Sequence, residues 1–194
     1  MVEEVAAALQ RGAVVVIPTD TVYGLATRAD NPEGIQRIYE IKGRPAEKPF
    51  QVLVSGAEAL DEFAERSEAA KALARAFWPG PLTIVVRASA RAPGALVREG
   101  RIGLRAPNHP LALALVAASG PLAATSANES GRPTPETIDE LRALFGSRVD
   151  AYADGGRIAT IASTVVDVGA GTIEILREGA IPRAALEGTI GAGC

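Results

Sequence analysis

The chain has 194 residues, 47% of them hydrophobic and 22% charged, with a formal net charge of −3 and a sequence pI near 5.3. That length and balance predict one domain, 1–194, with a real core and a flexible tail of roughly ten residues. The acidic balance argues against a surface that coats nucleic acid throughout, but not against a local basic groove.

One cysteine, Cys194, rules out an internal disulfide, and one histidine, His109, rules out a histidine-cluster metal site. The first residues, Met1-Val2-Glu3-Glu4, lack the basic and apolar regions of a signal peptide. No apolar run approaches the roughly 18 residues of a membrane helix. The expectation is a cytoplasmic protein with no membrane contact.

Val2, Val5, Ala6 and Leu9 recur at helical spacing, and Gly12 can close that helix. Ala13 to Ile17 is a β-branched run and predicts a buried strand. It feeds Pro18-Thr19-Asp20-Thr21-Val22-Tyr23-Gly24-Leu25, which is followed by a short helix from Asn31-Pro32 to about Ile41. Lys42-Gly43-Arg44-Pro45 comes next. Phe50 to Val54 predicts a strand, and Ser55 to Glu58 has a capping-box pattern that opens a helix through Phe63. A second helix starts at Ser67 and is stopped by Trp78-Pro79-Gly80-Pro81. Strands follow at Leu82 to Arg87 and Ile102 to Arg105.

Pro110 starts an apolar helix to about Ala118, and Pro121 to Thr125 predicts a strand. Ser126 to Pro133 is a polar loop. Thr134-Pro135-Glu136 caps a helix with Ile138, Leu141, Leu144 and Phe145 inward. Val149 to Ala153 is strand-like. Thr164 to Val168 and Thr172 to Leu176 read as a hairpin around Gly169-Ala170-Gly171. Pro182 leads a helical turn before the Gly-rich end. Helices alternate with strands and then give way to hairpins, which predicts an α/β fold with a mixed sheet.

The common nucleotide and hydrolase motifs are missing. What remains is polar clusters at the ends of predicted strands: Thr19/Asp20/Thr21, Lys42/Arg44/Lys48, Arg101/Arg105, Thr125/Ser126/Asn128, Ser163/Thr164 and Arg177. Ligands of open α/β sheets bind at the carboxyl ends of strands. Hydroxyls beside cations suit an anionic, phosphate-bearing ligand. Each cluster also has a plain structural role: Lys42 and Arg44 suit a helix C-terminus, and Ser126 to Asn128 suits a polar turn. His109 suits a cap, and Trp78 suits the core.

In order along the chain, these motifs closely resemble the YrdC/TsaC family of threonylcarbamoyl-AMP synthases. The motifs are Pro18 to Leu25, Lys42 to Pro45, Phe77-Trp78-Pro79-Gly80-Pro81-Leu82-Thr83, Arg105 to Pro110, Ser126 to Asn128 with Ser130 to Pro133, and Ser163 to Asp167 before Leu176-Arg177. The resemblance runs from about residue 5 to 185 and implies a YrdC-like fold. That fold is an open twisted mixed sheet flanked by helices, with a concave, positively charged cleft. It implies synthesis of L-threonylcarbamoyl-AMP and pyrophosphate from L-threonine, bicarbonate and ATP, the first step of t6A modification of tRNA. The product would pass to a tRNA threonylcarbamoyl transferase complex, with tRNA itself bound weakly.

By motif position, the resemblance puts Thr21, Arg105, Ser126 and Ser163 around threonine. It puts Lys42, Arg44, Lys48, Arg101, Asn128 and Arg177 around ATP. Lys42 and Arg44 would stabilise the transferring phosphate, with no nucleophilic side chain. Mg²⁺ would arrive with ATP rather than on dedicated protein ligands, and no organic cofactor is expected. Three residues depart from the pattern. Leu53 stands where some relatives have a histidine that contacts threonine, Asn108 stands where aspartate is common, and Glu136 falls at an expected ATP contact. The extra C-terminal domain of longer relatives is not expected. The competing reading is an RNA-binding module that uses the basic cleft without catalysis. The 4% aromatic content counts against it, because single-strand readers stack bases on aromatic rings. A carbamoyl-transfer domain would need further segments and cysteines.

Overall fold

The computed structural model describes residues 1–43, 49–159, 161–169 and 173–191. Helix α1 (Val2–Gln10) leads into strand β1 (Val15–Ile17), all of whose residues are buried. The sequence pattern missed the next element. Strand β2 (Gly24–Arg28) turns back on β1, with Val15 opposite Ala26. Gly24 and Ala26 carry no β-branched signal and Thr27 is the single β-branched residue of the strand, so partners decide it rather than propensity. Asn31 caps helix α2 (Pro32–Lys42) by accepting from the Gly34 N–H at 3.1 Å, and Gly43 ends it in the left-handed region at φ 56°.

Strand β3 (Gln51–Leu53) precedes helix α3 (Ala59–Phe63). The expected capping box at Ser55 does not form. Glu58 stands at the N-cap in helical geometry and makes no side-chain cap. Ser67 does cap helix α4 (Glu68–Phe77). Strands β4 (Leu82–Arg87) and β5 (Arg101–Arg105), helix α5 (Pro110–Ser119) and strand β6 (Leu122–Ser126) follow. Helix α6 (Ile138–Phe145) starts later than Thr134-Pro135 suggested, because Thr137 and Glu140 supply the true capping box. Strand β7 is only Ala151–Tyr152. Strands β8 (Thr164–Asp167) and β9 (Glu174–Arg177) pair antiparallel with a register shift between Val165 and Val166, and Ala170, Gly171 and Thr172 of the expected hairpin lie outside the described residues. The tail holds a full helix, α7 (Arg183–Gly191), anchored by the buried Leu186.

Among the described residues the strands form one mixed sheet of nine, in the order β7-β1-β2-β6-β3-β5-β4-β8-β9. Parallel pairs (β1 with β7, β3 with β5, β4 with β8) sit among antiparallel ones. One face is covered along its length. Leu25, Val52, Ile84, Ile102, Leu104, Ala123 and Val166 join Ile38 of α2, Phe63 of α3, Leu73 of α4 and Leu141 of α6 in a single core.

Among the described residues the other face is covered only at one end. There α1 and α5 lay Leu9, Leu115 and Val116 on Val15, Ile17, Ala26, Leu53 and Leu122. Beyond β3 no helix core covers that face among the described residues, and polar side chains appear on it beside Val85 and Val165. Among the described residues no helix is long and apolar enough to cross a membrane.

Candidate functional site

The uncovered face of the sheet is a cleft of about 1050 Å³. Strand alternation builds its floor, because successive side chains point to opposite faces. In β5, Ile102 and Leu104 enter the core while Arg101, Gly103 and Arg105 line the cleft. In β4, Leu82, Ile84 and Val86 go down while Thr83 and Val85 face the cleft. Pairing then lines up Gln51 with Gly103, Gly103 with Val85, and Val85 with Asp167 across four strands. Gly103 leaves open room in the middle of that row. Among the described residues four arginines (98, 101, 105, 177) and three carboxylates (Glu99, Asp167, Glu174) line the cleft.

Arg105 is the most buried of these cations, at 2% exposure. Its Nε donates to the Gly80 carbonyl at 3.1 Å, one terminal nitrogen to the Thr21 hydroxyl at 2.9 Å, and the other to the Asp20 carboxylate at 2.6 Å. Burial lowers the Arg105 pKa from the usual arginine value, and Asp20 opposes that shift. An arginine has five N–H donors, so two remain for a ligand. The loop between β1 and β2 supplies both partners. Thr19 folds it by donating to the Val22 carbonyl at 2.6 Å and accepting from the Thr21 and Val22 N–H groups at 3.2 Å.

Ser163 lies at the mouth of β8. Arg177 donates to its carbonyl at 2.8 and 3.1 Å and to its hydroxyl at 3.0 Å. Burial lowers the Arg177 pKa. The Ser163 hydroxyl lies 3.2 Å from that of Thr83, which donates to the Gln51 amide oxygen at 2.8 Å. Arg101 pairs with Asp167, whose carboxylate also accepts from the Gly169 N–H at 2.7 Å.

The cleft therefore brings together Thr21, Arg101, Arg105, Ser126, Ser163 and Arg177 of the predicted set. Lys42 is placed differently. It is 4% exposed and does not line the cleft. Its ammonium donates to the Ser126 carbonyl at 2.5 Å, the Asn128 carbonyl at 2.7 Å and the Asn128 side-chain oxygen at 3.0 Å. Asn128 is likewise engaged within its own loop. Its oxygen accepts from the Ser126 hydroxyl at 2.6 Å, and its NH₂ donates to the Glu129 and Arg132 carbonyls. These two residues, expected at ATP, shape the 126–132 loop. Arg44 and Lys48 lie outside the described residues.

The departures also find their places. Leu53 is fully buried under α5, where a fully buried leucine contributes about 2 kcal/mol. It cannot reach a ligand. Glu136 pairs with Arg157 at 2.6 Å, away from the cleft lining. Asn108 is exposed, and the neighbouring His109 occupies the N-cap of α5 without a side-chain cap bond. Trp78 packs on the core and donates from Nε1 to the Leu82 carbonyl at 2.7 Å.

Sequence reasoning missed Gln51 and Thr83 as site residues. The signal was there: each is a polar residue inside an otherwise apolar strand, Phe50 to Val54 and Leu82 to Val86.

A family model named for Sua5, YciO and YrdC, and described as telomere recombination, matches residues 7–179. The chain is 37% identical over 195 residues to a threonylcarbamoyl-AMP synthase of Bacillus subtilis, covering 98% of this chain and 56% of that one. Its fold matches Pyrococcus abyssi Sua5 solved with L-threonine, at a TM-score of 0.92 and 36% identity over 98% of this chain and 57% of that one. It also matches Escherichia coli YciO, at 0.87 and 26% identity, over 93% and 90% of the two chains. This chain thus spans just over half the length of the first two relatives.

Proposed function

The chain belongs to the Sua5/YciO/YrdC family, and on that premise we propose that it makes L-threonylcarbamoyl-AMP and pyrophosphate from L-threonine, bicarbonate and ATP. One observation carries the reading. A buried arginine, fixed by Asp20 and Thr21, sits in a cleft with further arginines and small hydroxyls. Its volume is at the upper end of ordinary ligand sites, which run to about 1,000 Å³, and suits two ligands side by side. The names of the relatives support the same chemistry.

The threonine amine would take up bicarbonate, losing water, to give N-carboxythreonine. An oxygen of that carbamate would attack the α-phosphorus of ATP, and the bond to the β-phosphate oxygen would break, releasing pyrophosphate. The nucleophile is already an anion, so no side chain must remove a proton from it. Catalysis is then positioning and charge stabilisation. Arg105 keeps two N–H groups for the threonine carboxylate and is held in place before the ligand arrives. Thr21, Ser126 and Ser163 would contact the amino acid. Arg101 and Arg177 would face the nucleotide, together with Arg44 and Lys48. Lys42 and Asn128 would act by holding the loop that presents Ser126.

Mg²⁺ would enter as the magnesium complex of ATP and neutralise phosphate charge. The product would serve a separate transferase that modifies tRNA.

The test is pyrophosphate release from ATP with threonine and bicarbonate each left out in turn. Release that requires both is the expected result. Release indifferent to threonine overturns the reading, and salt-sensitive tRNA binding without turnover would favour an RNA-binding role instead.

A further inference from the structure

We infer that Thr83 and Gln51 are positioning residues that fix the Ser163 hydroxyl as a hydrogen-bond acceptor toward the amino-acid ligand, and so set the preference for a ligand that carries a donor there. This rests on the proposed reading of the cleft as a threonine site. Proton direction decides it. The Gln51 amide oxygen can only accept, so the Thr83 hydroxyl spends its single proton on it, at 2.8 Å. Thr83 is then left only lone pairs for its other contact. The 3.2 Å contact to Ser163 therefore carries the Ser163 proton. On the other side, Arg177 has no acceptor atom, so its 3.0 Å contact donates to the Ser163 oxygen.

The resulting chain runs one way, from Arg177 through Ser163 and Thr83 to Gln51. It crosses from β9 to β3. Ser163 has no proton left for a ligand and one lone pair still open.

Ser163 thus presents an acceptor only, and a ligand carboxylate gains nothing from it. A ligand hydroxyl or amine does, and an apolar isostere leaves a buried lone pair unpaired. Unpaired polar groups of that kind are how a site rejects a ligand that lacks the matching donor.

The experiment measures binding of L-threonine and of L-valine, its isostere without the hydroxyl, by calorimetry in the absence of ATP. It uses the whole protein and its Thr83→Val, Thr83→Ser and Gln51→Leu variants. In wild type, threonine should bind well ahead of valine. Thr83→Val should return the proton to Ser163 and cut the threonine-over-valine ratio by about tenfold. Thr83→Ser should keep the ratio. Gln51→Leu, at a half-buried floor position, should shift it in the direction of Thr83→Val and serves if Thr83→Val does not fold. If Thr83→Val and Gln51→Leu fold and leave the ratio unchanged, or if Thr83→Ser loses it as fully as Thr83→Val, the inference is wrong. If wild type binds no threonine, the underlying reading of the cleft fails instead.

Discussion

The Asp20 carboxylate lies 2.6 Å from the Arg105 guanidinium, with side-chain exposures of 14% and 2%. The pair joins the loop after β1 to the end of β5. An ion pair this deep stabilises little by itself, since its attraction mostly offsets the cost of desolvating both groups. Removing one partner is what is costly. Asp20→Asn leaves a buried guanidinium without its countercharge and should destabilise the protein by about 3–5 kcal/mol. Urea denaturation of the single and double variants measures this. A double variant Asp20→Asn/Arg105→Met that is as unstable as the sum of the two singles would show that the pair is not coupled.

Lys42 should behave as part of the fold. Its ammonium meets three oxygens of the 126–128 segment. Lys42→Met removes all three bonds from the ammonium and should destabilise the protein by about 1.5–3 kcal/mol, the scale of a hydrogen bond to a charged group. Hydrogen exchange should quicken around 126–132, where Ser130 N–H donates to the Lys42 carbonyl at 3.2 Å. Turnover would fall through loss of loop order. A variant with wild-type exchange and lost turnover would instead put Lys42 on the nucleotide.

Gly103 separates the cleft from the core. A Cβ built there comes no closer than 3.4 Å to the Thr83 methyl, an ordinary contact, and the position lies in an extended strand. Gly103→Val should therefore fold with a melting temperature close to wild type, because valine suits strands. Its branches fill the floor where substrates would lie. Pyrophosphate release should drop by about a hundredfold, on the scale of an ångström-sized misplacement of reactants. Unimpaired release by Gly103→Val would remove the reaction from this cleft.

His109 gives a pH dependence. Its Nδ1 is buried without a partner, and burial lowers its pKa, with Asp20 opposing. The folded state thus resists a proton that the unfolded chain accepts near its usual pKa of about 6.5. Below that pH the unfolded state binds more protons, so stability falls as pH drops toward the lowered folded value. The contribution is fully present above about pH 6.5. Melting temperatures between pH 7 and 5 should fall more steeply for wild type than for His109→Gln. Parallel curves would mean that His109 titrates alike in both states.

The sequence by itself determined the elements whose signal is local. Asn31-Pro32 and Ser67 marked helix starts correctly, and Leu82 to Arg87 read as the strand it is. The ordered motifs also pointed to the family. Tertiary structure alone decided β2, whose small residues become a strand only because β1 and β6 lie on either side of it. It also decided the roles of the polar residues. Lys42 and Arg105 look alike in sequence, each a cation ending an element, yet one is spent on carbonyls 84–86 residues away while the other keeps donors free beside a cleft. Gln51 and Thr83 stand 32 residues apart and acquire a shared function only through the strand order β3-β5-β4. Local propensity is a property of neighbours in the chain. The direction of a hydrogen bond and the burial of a charge depend on what folding brings from elsewhere.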